Sequence, residues 1–149
     1  MFEKSETLAL GCDHAGYELK EFLKVKLAES GYSIRDFGTY STSSMDYPDV
    51  AHPLASAVNG GLFSTGILIC GSGNGMAITA NKYENIRAAL CWSNELALLA
   101  KSHNNANMLC LPARFIQPEE ALKATLTFLI TDFEAGRHQT RLDKIALKR

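Results

Sequence analysis

No stretch of 18 consecutive apolar residues occurs in the 149-residue sequence, which excludes a conventional membrane-spanning helix. Charge of one sign is missing too: 15 Lys and Arg stand against 16 Asp and Glu, a net charge of −1 with no basic block or acidic tail. That balance argues against nucleic acid or a membrane surface as partner, so any affinity for a small anion must come from a few placed groups. The opening Met1-Phe2-Glu3-Lys4 lacks a signal-peptide pattern. The four cysteines, Cys12, Cys70, Cys91 and Cys110, contain no C-x-x-C pair, and three lie in apolar strand-like runs. They read as buried free thiols of a protein in a reducing cytoplasm. His14, His52, His103 and His138 lie far apart, and neither H-E-x-x-H nor a two-histidine-plus-carboxylate spacing occurs, so no metal is expected.

What is present is ordinary for one globular domain: 46% hydrophobic and 21% charged residues in a chain of 149. A domain of that size buries roughly 68–70% of its unfolded surface. Short apolar, β-rich runs alternate with helical patterns, which predicts parallel βαβ units. The strand candidates are Thr7–Cys12, Ser33–Phe37, Gly66–Cys70, Arg87–Trp92 and Asn107–Leu111. Helical stripes follow at Leu19, Phe22, Leu23 and Leu27, closed by Gly31, and at Ala51, Leu54, Ala55 and Val58, opened by Pro48. Ser93 reads as an N-cap, and Pro118 starts a stripe of Leu122, Thr125, Leu126, Leu129, Ile130 and Phe133. Together these predict a three-layer α/β/α sandwich on a five-stranded parallel, Rossmann-like sheet.

Ligands of such sheets gather outside the carboxyl ends of the strands. Asp13-His14, the loop Gly71-Ser72-Gly73-Asn74-Gly75 and Ser93-Asn94 therefore become the places to look, with the Ser- and Thr-rich stretch from Gly38 to Asp46 as a loop long enough to line a site. The glycine loop is neither a Walker A motif nor the dinucleotide fingerprint. It is either a tight strand-to-helix turn or an anion cradle, and its three glycines exceed what turning requires. Cys70 ends the preceding strand, as core or as a thiol activated by the same electropositive field. Asp13 is a helix cap or a ligand-facing acid, and His14 beside it is incidental or a donor to an anionic or hydroxylated group. His103 is either stabilised by the end of its helix or a general acid/base. Asn104 and Asn105 are helix-end caps on the plainer reading. Arg137 and Arg141, four apart, make either a solvated face or a bidentate phosphate clamp.

The motifs GCDHAG (Gly11–Gly16), DYPD (Asp46–Asp49), CGSGNGM (Cys70–Met76), ANK (Ala80–Lys82), HNNAN (His103–Asn107), PARF (Pro112–Phe115) and GRHQTR (Gly136–Arg141) resemble, in order, those of type B ribose-5-phosphate isomerases. That family also holds allose- and galactose-6-phosphate isomerases. The resemblance implies a cofactor-free aldose–ketose isomerase acting on a small phosphorylated sugar. By it, Cys70 is the base, the backbone of Gly71, Ser72, Gly73, Asn74 and Gly75 forms the anion hole for an enediolate, and Ser72 assists near the ring oxygen. His103 opens the furanose ring, and Asp13, Tyr47 and Asn104 hold hydroxyl groups. His14, Arg137 and Arg141 grip the phosphate, and Arg114 lines the site. The resemblance further implies a site built at a dimer interface, in a homodimer or a dimer of dimers, with residues 136–149 a C-terminal tail expected to dock on the partner subunit. Another branch carries Glu where this chain has Met76, which places the chain in the cysteine branch. Asn105 departs from the family's usual Asp, with reduced help to His103 as the expected consequence. The alternatives are a hexose-6-phosphate isomerase and a noncatalytic phosphosugar-binding protein.

Overall fold

The computed structural model describes residues 1–147. Five strands, β1 (Thr7–Cys12), β2 (Ser33–Asp36), β3 (Gly66–Cys70), β4 (Ala88–Leu90) and β5 (Met108–Pro112), form one parallel sheet in the order β2-β1-β3-β5-β4. Six helices accompany it: α1 (Tyr17–Glu29), α2 (Pro48–Asn59), α3 (Asn74–Ala80), α4 (Asn94–Asn104), α5 (Pro118–Ile130) and α6 (Arg137–Leu142). A 3-10 turn, His14–Gly16, joins β1 to α1. Among the described residues no helix is long and apolar enough to cross a membrane.

Alternation along the strands divides the core. Leu8 and Leu10 of β1, Ile67 and Ile69 of β3, and Leu109 and Leu111 of β5 pack with α1, α4 and α5. Ala9, Leu68, Cys70, Met108 and Cys110 point the other way, onto α2 and α3. The expected three-layer sandwich is thus present, with Cys70 committed to the α2/α3 face.

The helix signals act as read. Ser93 Oγ accepts the Leu96 N–H at 3.3 Å, and Pro48 and Pro118 begin α2 and α5. Some boundaries differ. β4 covers only Ala88–Leu90 of the expected Arg87–Trp92; as an edge strand it pairs on one side, and Trp92 leaves the sheet into solvent. β2 stops at Asp36, and β5 runs one residue later than expected. In α5 the buried line is Ala121, Ala124, Thr125, Phe128 and Leu129, while Ile130, the last residue of the helix, is exposed.

Lys20 is the residue that hydropathy patterning misplaces. It sits among the charged positions of α1 yet is 0% exposed. Its ammonium donates to both oxygens of Asp36 at 2.8 Å and to the Thr39 carbonyl at 2.7 Å, so all three of its hydrogens are used. Lys24 adds a 2.8 Å bond to the same carboxylate, and the Gly38 N–H donates to it as well. Burial opposes ionisation of Asp36, but the bonds from Lys20, Lys24 and Gly38 outweigh it and hold the carboxyl below its ordinary range. This knot anchors the start of the loop that leads to Tyr47.

Candidate active site

The strand order reverses between β1 and β3: the chain moves from β1 outward to β2, then back across to β3. A crevice opens outside the carboxyl ends at that switch point. There β1 delivers Asp13 and His14, and β3 delivers Cys70 and the glycine loop. The Asp13 N–H donates to the Ile69 carbonyl at 3.0 Å, tying the two strand ends together. The resulting cavity, of about 310 Å³, is lined by Asp13, His14, Tyr47, Cys70, Gly71, Ser72, Gly75, Arg114 and Phe115, with Ala15.

Cys70 lies at the floor, only 4% exposed, and its Sγ accepts the backbone N–H of Gly73 at 3.1 Å. This N–H fixes where the sulfur sits relative to the glycine loop. Gly73 reaches this position with φ 74°, which side chains disfavour, and a Cβ there would press on Leu90 and lie 3.2 Å from the Leu111 carbonyl carbon. The other three thiols lie away from this cavity. Burial pushes Cys12 and Cys91 up to about 12 and raises Cys110 as well, leaving them protonated core groups. Met76, where a carboxylate would have been an alternative base, is fully buried and has no proton to exchange.

The walls carry polar groups in fixed states. His14 Nδ1 accepts the Met45 N–H at 3.2 Å, which leaves its Nε2–H free to donate. The loop from Gly38 to Asp46 does not itself line the cavity, contrary to expectation; it acts one step back, through the Met45 N–H on His14. Asp13 Oδ1 caps the 3-10 turn through the Gly16 N–H at 3.1 Å, and the residue also lines the cavity. The Arg114 guanidinium rests over Gly71, where an added Cβ would meet Nη1 at 3.2 Å. Ser72 and Asn74 also face a neighbouring depression with Leu90, Trp92, Pro112 and Phe115, and Trp92 and Phe115 are 57% and 72% exposed. Ser93 and Asn94 take no part: Ser93 caps α4, and the Asn94 N–H is bound by Glu120 at 2.7 Å.

His103, Asn104, Arg137 and Arg141 do not line this cavity. Asn104 borders a separate cavity of about 320 Å³ with Asn81, Arg87 and Ile145. His103, in the last turn of α4, stacks on His138 of α6 with ring centroids 4.2 Å apart and planes 13° off parallel. Glu134 Oε2 lies 3.7 Å from His103 Nε2 and 3.6 Å from His138 Nε2. Sequence spacing hides this trio, although Glu134 and His138 are i and i+4; only the fold brings α4 beneath them. Two histidines and a carboxylate are the ligand types of a zinc site. Parallel rings, however, direct their nitrogen lone pairs alongside one another, whereas one ion needs both aimed at a single point. Burial first, then the positive charges of His103, Arg137 and Arg141, push His138 down, with Glu134 alone opposing. Asn105 has φ 44° and ends α4, its carbonyl accepting from Arg87 Nε at 3.0 Å.

An open parallel sheet with a thiol and a glycine loop at its switch point is the architecture of an α/β enzyme of small molecules. The family model described as Ribose/Galactose Isomerase matches residues 8–145, and the chain belongs to that family. It is 41% identical over 138 residues to ribose-5-phosphate isomerase B of Escherichia coli, covering 93% of each chain. Its structure superposes on ribose 5-phosphate isomerase B of Thermotoga maritima with a TM-score of 0.92 at 48% identity, covering 95% and 97% of the two chains. The Mycoplasma genitalium enzyme, solved with bound ribulose-5-phosphate, gives a TM-score of 0.91 at 40% identity over 96% and 95%.

Proposed function

We propose that this protein interconverts ribose 5-phosphate and ribulose 5-phosphate through an enediolate. The observation that carries the reading is the Gly73 N–H held 3.1 Å from Cys70 Sγ on the floor of a glycine-lined cavity. Aldose–ketose isomerisation removes a weakly acidic C–H proton, so it needs a base and preorganised donors for the oxyanion that develops. Cys70 thiolate takes the C2 proton of the open-chain aldose, the C–H electrons form the C1=C2 bond, and negative charge gathers on O1. The backbone of Gly71–Gly75 receives that charge. A proton passes from O2 to O1, and Cys70 returns its proton to C1, leaving the C2 ketone.

The remaining roles follow chemistry and position. Ser72 stands near the ring oxygen, and Asp13, Tyr47 and Asn104 hold hydroxyl groups. The free Nε2–H of His14 suits a phosphate oxygen, and Arg137 and Arg141 complete that grip, with Arg114 at the rim. Binding a distant dianion positions the reacting carbons. His103 opens the ring. Because His103, Asn104, Arg137 and Arg141 lie outside the Cys70 cavity of their own chain, a second subunit supplies them in a homodimer. Trp92 and Phe115, exposed beside that cavity, are apolar surface suited to such an interface. His138 near the start of the tail is buried against its own chain, residues 143–147 are exposed and so available to a partner, and residues 148–149 of the tail lie outside the described residues.

The test is conversion of ribose 5-phosphate by the purified protein with EDTA present and allose 6-phosphate in parallel. Turnover of the pentose unaffected by EDTA is expected. Turnover of the hexose alone would move the assignment to a hexose-6-phosphate isomerase, and no turnover of either would leave a phosphosugar-binding protein.

A further inference from the structure

We propose that Glu134 is a positioning residue for ring opening, its carboxylate holding the stacked His103 and His138 as one unit with a defined proton. The inference rests on the isomerase reading and extends it to a residue with no role there.

Geometry carries it. One oxygen, Oε2, stands 3.7 Å from His103 Nε2 and 3.6 Å from His138 Nε2, so a proton on either imidazole faces the same negative charge. The rings themselves are stacked 4.2 Å apart, which forbids them to act independently: a charge on one opposes a charge on the other. The backbone fixes the arrangement from a different direction. The Glu134 N–H donates to the Ser102 carbonyl at 3.0 Å, joining the carboxylate's own residue to the turn of α4 that bears His103. Ala135 at φ 54° and Gly136 at φ 56° then reverse the chain, and the His138 N–H closes the reversal on the Ala135 carbonyl at 3.0 Å. A left-handed alanine is a strained backbone, and here it sets Glu134 and His138 on the same side of His103.

The charges around the pair assign the parts. Arg137 and Arg141 of α6 disfavour a proton on His138, as does His103, and Glu134 is the one group that favours it. Lys101 of α4 is turned away, donating to the Ala106 carbonyl at 3.2 Å and lying over Phe128. His138 therefore serves as the neutral platform, and Glu134 as the counter-charge for a proton moved by His103. Asn105, where the family commonly has Asp, leaves this duty to Glu134: its backbone ends the helix, and its side chain makes no hydrogen bond to His103 among the described residues.

Glu134→Gln keeps the backbone bond and removes only the charge. On ribose 5-phosphate its kcat should fall about 10-fold, a part of what acid–base assistance contributes. KM and inhibition by inorganic phosphate should stay within about twofold of the parent, since the arginines are untouched. The limb of the kcat/KM profile between about pH 5 and 8 should move to lower pH, because the Glu134 carboxylate is the group that favours a proton on the His138 side of the stacked pair. Glu134→Asp should recover most of both effects. An unchanged kcat with an unmoved limb would overturn the proposal. So would a change confined to KM and phosphate inhibition, which would assign Glu134 to the arginines. An inactive parent protein would overturn the isomerase reading and this inference with it.

Discussion

A Cβ added at Gly75 would lie 2.5 Å from Tyr47 Cζ and under 3 Å from two further ring atoms. No rotamer change at alanine can relieve this, so the Tyr47 ring must move out of the cavity it lines. Gly75→Ala is therefore expected to keep its fold and lose about 10-fold in kcat/KM for ribose 5-phosphate, since small displacements of a positioning group carry costs of that order. Parent-like kinetics would show that Tyr47 does not position substrate. At this scale the sequence was informative about Cys70, His14 and the glycine loop, because strand ends of a parallel sheet are a small set of places. It was silent on Glu134, whose relation to His103 depends on the path of the chain between α5 and α6. It was also silent on Lys20, since a buried lysine and a solvated one look alike until the partner carboxylate is placed.

Elements follow from local rules here, and their departures have local causes. Prolines at the starts of α2 and α5 and Ser93 before α4 mark boundaries because each meets a specific need of a helix end. β4 is short because an edge strand has one ladder to hold it. The link between β2 and α2 is set by the knot of Lys20, Lys24 and Asp36, and this makes a pH-dependent contribution to stability. Asp36 is held below its ordinary range in the folded protein. The unfolded chain then binds the proton first as pH falls, so the stabilisation is complete above the ordinary carboxylate range and is lost below about pH 4. Asp36→Asn should destabilise the protein by about 3 kcal/mol at pH 7, because it strands the buried ammonium of Lys20. The same variant should show a shallower loss of stability in urea titrations between about pH 5 and 3 than the parent. An equal slope in both proteins would mean that other carboxylates govern the acid limb.

On the proposed assignment the whole molecule carries the site in two parts: a thiol with its glycine loop at the switch point, and a histidine pair with two arginines at the end of α4 and on α6. Motif order along the chain makes both parts legible, but not that one chain leaves them in separate places. That separation is a property of the packed fold, in which α4 lies on the face of the sheet opposite the one toward which Cys70 points. The proposed dimer reunites them by symmetry, each site taking Cys70 from one subunit and His103 from the other.

Mixing subunits tests this account most directly. Cys70→Ala alone should lose isomerisation by about 10³-fold or more, and His103→Ala by a smaller factor, as expected for a base and for an assisting acid–base group. Co-refolding the two variants in equal amounts makes half the dimers mixed, and each mixed dimer regains one intact site of its two. The account predicts recovery to about one quarter of parent activity on ribose 5-phosphate. Activity no higher than the mean of the two variants would contradict it, placing Cys70 and His103 of each site in the same chain.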